Sequence, residues 1–397
     1  MSSFNLEKVQ SALTSLGFDC WAFYDFRGSN SLALEILGFG ANAHLTRRFF
    51  YIVPAQGEPI KIVNGIETHN LKHLPGNLFP YDSHEKLTLL LKTHLSKFSS
   101  IAMEYSPMNA IPYVSKVDAG TIELLHSLGI NPKSSADLIT RLSAVWSEEQ
   151  YNEYLPVADA LTDIVKLSFA KIKDSILAKE PITEYDVQQF IMAEFESRGY
   201  ETDFPPIVGV NENSANPHYG PDKDTFKQIR EGDFVLIDLW ARQKKETAVW
   251  ADITWTGYVG SEIPEKYEKV FNIVRDARNA GFNLVKERFA EGKPVKGFEV
   301  DAITRSVIAA AGYSQYFIHR TGHSITTSLH GSGTHMDNFE TKDERLILPG
   351  TSFSIEPGIY LTGDFGVRSE IDVYIHPDGT VEQTGGAAQE ELIAILA

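Results

Sequence analysis

The chain holds a single cysteine, Cys20, among 397 residues. That excludes a disulfide framework within the chain and a zinc site built on cysteine thiolates. It fits a reducing compartment. Cations are also scarce: 36 Lys+Arg stand against 53 Asp+Glu, a formal net charge of -17. Such a surface repels phosphate backbones and argues against nucleic-acid binding. No run approaches the roughly 18 apolar residues needed to cross a bilayer. Residues 1–10 show no basic stretch followed by an apolar one, so no signal peptide is expected. The reading is of a cytoplasmic protein with no membrane partner.

What is present is the mix of an ordinary globular protein, with 43% hydrophobic and 22% charged residues. At roughly 150 residues per domain the length predicts two or three domains. The acidity serves solubility in its plain reading; in a sharper one, some carboxylates are gathered to hold cations.

Helical and strand patterns alternate at first. Leu6 to Leu16 and His84 to Leu95 have helical spacing. Trp21 to Phe26, Arg48 to Val53, Ile60 to Val63 and Ile101 to Tyr105 read as strands. This predicts a small α/β domain over 1–145 without a metal-spaced or nucleophile-spaced cluster. A new helix is predicted near Ser147, with Ser147 as N-cap, Gln150 closing a capping box, and Trp146 with Tyr151 as a hydrophobic staple. The second domain therefore covers 146–397.

That second domain repeats itself. Lys179-Glu180-Pro181 recurs as Gly292-Lys293-Pro294, and Arg198-Gly199-Tyr200 as Ala311-Gly312-Tyr313. Glu231-Gly232-Asp233-Phe234 recurs as Pro349-Gly350-Thr351-Ser352. Each half reads as long helix, Pro-containing turn, second helix, loop, then two strands. Two such units predict one pseudo-symmetric domain with its sheets meeting and helices outside.

The repeat aligns acids. Asp238 and Glu356 each lie in a buried-looking strand six residues after a matched glycine, Gly232 or Gly350. Asp252 and Glu370 each follow 14 residues later, on the returning strand. A carboxylate in an apolar strand is costly unless paired or metal-bound. Any one of these acids could be satisfied by a nearby arginine, lysine or backbone group. Four in register point instead to two divalent cations, which relieve the mutual repulsion. Histidines align too: His218 and His330 precede the acidic strand of their halves, and His323 lies just upstream of His330. An imidazole is wanted as fifth ligand, because sites of oxygen alone favour calcium or magnesium. We assign it to His323. Four carboxylates and one imidazole favour manganese or cobalt, although zinc could also bind. Two metals roughly 3.5–4 Å apart would share a water and lower its pKa. Glu356 could then act as general base, with His218 and His330 free to hold substrate or stabilise the tetrahedral intermediate.

Competing motifs are weak. Gly322-His323-Ser324-Ile325-Thr326 lacks the closing glycine of a nucleophile elbow, and there is no His-Glu-x-x-His or phosphate loop. The block from residue 147 onward resembles the pita-bread metallopeptidases, which include methionine aminopeptidase, aminopeptidase P and prolidase. The resemblance rests on Ile237-Asp238-Leu239, Ala251-Asp252-Ile253-Thr254, Thr321-Gly322-His323, Ile355-Glu356-Pro357-Gly358-Ile359-Tyr360 and Val367-Arg368-Ser369-Glu370. An N-terminal α/β domain before this block is similar to the prolidase, aminopeptidase P and creatinase branch. The implied fold is a small creatinase-like α/β domain followed by a pseudo-two-fold pita-bread α+β catalytic domain. The implied ligands of a dinuclear site are Asp238, Asp252, His323, Glu356 and Glu370, usually given manganese or cobalt. The resemblance also implies substrate-binding and catalytic roles for His218 and His330. It implies supporting roles for Thr254, Tyr360 and Arg368, and a homodimer.

The implied reaction is hydrolysis of Xaa-Pro bonds in dipeptides. Alternatives are an Xaa-Pro aminopeptidase acting on longer peptides, and a metal-free creatinase-like hydrolase or non-catalytic binding module. The chain departs from the family pattern at three places. His330-Gly331-Ser332-Gly333 lacks the Glu, Pro and Arg that commonly follow in prolidases, including the Arg that would clasp a dipeptide's carboxylate. Trp240 stands where Gly is frequent, and Trp255 where Arg is frequent. These positions bear on substrate size and leave the ligand set whole.

Overall fold

The computed structural model describes residues 4–40 and 43–397. The chain divides into two compact units, Met1–Ser143 and Ala144–Ala397.

The first unit follows the alternation read from the sequence: α1 (Leu6–Leu16), β1 (Cys20–Asp25), α2 (Ser31–Ile36), β2 (Phe49–Pro54), β3 (Ile60–Asn64), β4 (Asn77–Tyr81), α3 (His84–Leu95), β5 (Ile101–Met103), α4 (Ala119–Ser127), β6 (Pro132–Ser134) and α5 (Ala136–Ser143). The strands form one mixed sheet in the order β4-β3-β2-β1-β5-β6. β1 and β2 are buried on both faces, which is why they read as near-continuous apolar runs.

The second unit begins with α6 (Glu148–Ala178), whose capping box forms as expected. Ser147 N donates to Gln150 Oε1 at 2.9 Å, and Gln150 N donates to Ser147 Oγ at 3.1 Å. Trp146 and Tyr151 both stack on Tyr374, at 5.3 and 4.5 Å between ring centroids. There follow α7 (Glu184–Ser197), β7 (Tyr200–Glu201), β8 (Ile207–Val210), β9 (Phe234–Gln243) and β10 (Ala251–Tyr258). The second half runs α8 (Glu265–Ala290), α9 (Gly297–Ala310), β11 (Ser324–Ile325), β12 (Ser352–Ile355), β13 (Gly358–Leu361), β14 (Phe365–Arg368), β15 (Ile371–Ile375), β16 (Val381–Gln383) and β17 (Ile393–Ala394). The three matched sequence pairs share a backbone feature. Lys179 and Gly292, Gly199 and Gly312, and Gly232 and Gly350 all take positive φ, between 57° and 95°. The halves therefore turn in the same way at the same three places.

Alternation along β9 divides its work. Val235, Ile237, Leu239 and Ala241 join the core formed with α6 and α7, including Leu161, Val165 and Ile191. Asp238, Trp240 and Arg242 point to the opposite face and line a cavity. β10 pairs antiparallel with β9, setting Thr254 opposite Asp238 and Asp252 opposite Trp240. The two acids of this half are thus diagonal neighbours on one face.

The second half differs from the simple strand pair that the sequence predicts. β12 pairs with β15, yet Glu356 and Glu370 lie just past the strand ends, beyond the last pair Ile355–Ile371. The residues between them fold into a separate β13–β14 hairpin, which carries Tyr360 and Arg368. The two halves are joined where Glu370 N donates to the Thr254 carbonyl at 3.3 Å and Asp252 N donates to Asp372 Oδ2 at 2.9 Å.

Candidate metal centre

Asp252, His323 and Glu370 each offer a ligand atom, and these atoms lie within 4.8 Å of one another, all three residues being buried. Glu356 adjoins them: its Oε1 is 3.4 Å from His323 Nε2, while Asp252 Oδ2 is 3.6 Å from the same nitrogen. Asp238 is tied differently. Its Oδ2 pairs with Arg368 Nη2. Three of the five acid and imidazole candidates therefore form the tight group, with Glu356 beside His323 and Asp238 held by Arg368.

Local structure explains these placements. Gly322 is bare because a Cβ there would overlap the Ser354 carbonyl oxygen. The close approach lets His323 N donate to Ser354 Oγ at 3.0 Å, and that hydroxyl donates to Glu356 Oε1 at 3.1 Å. Thr254, opposite Asp238, donates from Oγ1 to Glu370 Oε2 at 2.7 Å and accepts from Arg368 Nε at 2.9 Å. Arg368 also donates to the Tyr360 hydroxyl at 3.3 Å. One threonine thus connects an acid of each half.

Burial sets the electrostatics. It pushes Glu356 up to about 7, against the opposing pull of Arg368. Asp252 and Glu370 are held well above the usual carboxylate range by burial first and by neighbouring acids second. Burial, then His330, holds the His323 imidazole neutral. Its Nδ1 faces the Ser324 carbonyl at 3.3 Å, so that nitrogen carries the proton and Nε2 presents a lone pair to the carboxylates. Acceptors facing acceptors in a buried space call for a positive charge between them. Two of the oxygens, Asp252 Oδ1 and Glu370 Oε1, are buried with no hydrogen-bond partner among the described residues.

His218 and His330 reach the same cavity, of about 1050 Å³, from two loops. Desolvation, then Arg320 and His218, lowers His330 to about 4. The ring packs edge-on against His323, with centroids 4.3 Å apart. His218 lies close enough to Asp238 for its charge to act on that carboxyl.

Two residues of the site escaped the sequence reading. His319 is half-buried and held neutral, at about 3, by desolvation. Its Nδ1 donates to the Arg320 carbonyl at 2.7 Å, so Nε2 accepts from the Tyr360 hydroxyl at 2.7 Å. Asp372 accepts from Asp252 N and from the Tyr154 hydroxyl, both at 2.9 Å. A signal existed for Asp372, an acid within the apolar run of β15, which is the cost argument already applied to Asp238. The repeat alignment passed over it.

Comparison with known proteins agrees with this geometry. The model of metallopeptidase family M24 matches residues 158–377. A probable dipeptidase PepE of Mycobacterium tuberculosis H37Rv is 31% identical over 264 residues, 66% of this chain and 64% of that protein's length. An Xaa-Pro dipeptidase of Lactobacillus helveticus is 26% identical over 384 residues, covering 94% of this chain and 95% of the relative. Among solved structures, the dipeptidase PepE of Mycobacterium ulcerans has the same fold, with a TM-score of 0.64 at 22% identity over 98% of this chain and 96% of that one. The prolidase of Thermococcus sibiricus matches with a TM-score of 0.59 at 23% identity over 99% and 100%.

Proposed function

The chain belongs to metallopeptidase family M24, and from that premise we propose that it hydrolyses Xaa-Pro dipeptides with a pair of divalent metal ions, manganese foremost. The observation that carries this reading is the convergence of two buried, unpartnered carboxylate oxygens, Asp252 Oδ1 and Glu370 Oε1, on a neutral imidazole. The donor set fits such ions: carboxylates with one nitrogen suit manganese, cobalt or zinc. Asp238, Asp252, His323, Glu356 and Glu370 would hold them. When bound, the ions supply an acidified water and positive charge where the carbonyl oxygen becomes negative.

The chain's own residues perform the rest. Glu356 takes the proton of the attacking water at its carboxylate and returns it to the leaving imide nitrogen. His218 and His330, opening on the cavity, hold the substrate backbone and donate to the developing oxyanion. Thr254 and Arg368 orient Glu370 and Asp238, and Tyr360 steadies Arg368 from behind. A proline imide has no N–H and a fixed φ, so general peptidases handle it poorly and a dedicated site is needed.

A second reading, an aminopeptidase acting on longer proline peptides, is favoured by one observation. The guanidiniums lining the cavity are both engaged, Arg368 by Asp238 and Arg242 by Glu201, so neither is free to clasp a dipeptide's carboxylate. The test is release of the N-terminal residue Xaa from a series of Xaa-Pro dipeptides and Xaa-Pro-Yaa tripeptides, each assayed with manganese, cobalt and zinc. Metal-dependent cleavage of dipeptides supports the first reading and cleavage confined to longer peptides the second. No turnover with any of the three metals refutes both.

A further inference from the structure

The cavity wall beyond the metal-ligand candidates carries an unbalanced charge. Asp238, Trp240 and Arg242 occupy alternate positions of β9 and share one face. Arg242 has its charge taken. Its Nε donates to Glu201 Oε1 at 2.9 Å, its Nη2 lies 2.8 Å from the same oxygen in an ion pair, its Nη1 donates to the Thr327 carbonyl at 3.1 Å, and its guanidinium lies 4.9 Å over the Trp250 ring. Asp203 is different. Its Oδ1 accepts the Trp240 indole N–H at 2.7 Å, and no cation among the described residues forms an ion pair with it. Its side chain lines the same cavity as His218, His330 and Glu356.

A carboxylate held in place by an indole, both lining one cavity, is the chemistry that recognises an alkylammonium or guanidinium. The hydrocarbon stem lies along the ring, the ring face attracts the cation, and the carboxylate pairs with its head. Trp240 stands two residues from Asp238, about 7 Å along the strand. A lysine or arginine side chain, extended from a substrate residue bound at the metal centre, spans that distance. We propose that Asp203 and Trp240 form a subsite for a cationic substrate side chain, so that the enzyme prefers peptides carrying lysine or arginine next to the scissile bond. The preference rests on the dipeptidase reading above for the placement of the substrate.

The test compares Lys-Pro with norleucine-Pro, which match in length and backbone charge and differ in the side-chain ammonium. Both kcat/KM with manganese and the dissociation constant by calorimetry on the metal-free protein are measured. Lys-Pro is expected to be favoured by about 5- to 10-fold at low salt, a ratio that shrinks toward one as ionic strength rises. In Asp203→Asn, which keeps an acceptor for the indole, the ratio falls to about one; in Trp240→Phe it falls part of the way. A wild-type ratio of one, or a ratio unchanged in Asp203→Asn, overturns the subsite. Binding preference without cleavage by any metal keeps the subsite and removes the dipeptidase reading. Equal cleavage of the two peptides does the reverse, and neither binding nor cleavage overturns both.

Discussion

At the residue scale the centre depends on how each acid is held. Thr254 is the joint between halves: one hydroxyl donates to Glu370 and accepts from Arg368, which in turn holds Asp238. Thr254→Val keeps the shape and removes both bonds. The expected outcome is a loss of about 10- to 100-fold in manganese affinity, read by calorimetry, with the thermal midpoint of the metal-free protein little changed. An unaltered affinity refutes the role. The four aligned acids were legible because a carboxylate in an apolar strand needs a reason. Arg368 was legible only through its likeness to a family motif. That its guanidinium would be spent on Asp238 depends on a hairpin whose placement no periodicity records. Likewise His319 stood in plain view beside Arg320, but its partner, Tyr360, is 41 residues away in sequence.

At the element scale the decisive contact is the approach of the Thr321–His323 segment to β12. Ser354 N donates to the His323 carbonyl at 2.9 Å, and Glu356 N to the Thr321 carbonyl at 2.7 Å. Only a glycine at 322 permits this spacing. Gly322→Ala must push the segments apart and carry His323 away from Glu356. Displacements near 1 Å cost about 100-fold in rate, so kcat/KM is expected to fall at least that far, with manganese binding weakened alongside. Wild-type kcat/KM in this variant contradicts the geometry. The sequence predicted the helix pairs of both halves well, since the Ser147 cap and the 3.6-residue spacing are local. It predicted one strand pair where the second half has β12, β15 and an inserted hairpin, because a turn inside a short apolar stretch leaves strand pairing undetermined.

At the scale of the whole molecule the buried acids make stability depend on pH and metal together. Asp372 is pushed up to about 8 by burial, and Asp252 and Glu370 are also raised. An acid whose pKa is higher folded than unfolded binds more protons in the native state between the two values. Stability then falls as pH rises through that window. The imidazoles of His319, His323 and His330, whose pKa values are lowered, act in the opposite sense, but only below about 6.5, where they would titrate unfolded. Between pH 7 and 8 the carboxyls therefore prevail. The metal-free protein is expected to lose at least about 1 kcal/mol over that unit. Added manganese restores it, with a larger gain at pH 8 than at pH 7 because the ion competes with protons for the same oxygens. Thermal melts at the two pH values, with and without metal, check this. A flat or rising metal-free midpoint contradicts it.

The sequence by itself determined the acid positions, the Ser147 helix cap and the repeat, because each of these is written in short-range spacing or in the cost of placing charge among apolar residues. Tertiary structure alone decided which acids face the imidazole and which faces an arginine, where the second half's strands break, and that Trp240 reaches Asp203. Those outcomes depend on side chains far apart in the chain meeting at distances of about 3 Å, and no local pattern encodes which of several compatible partners wins.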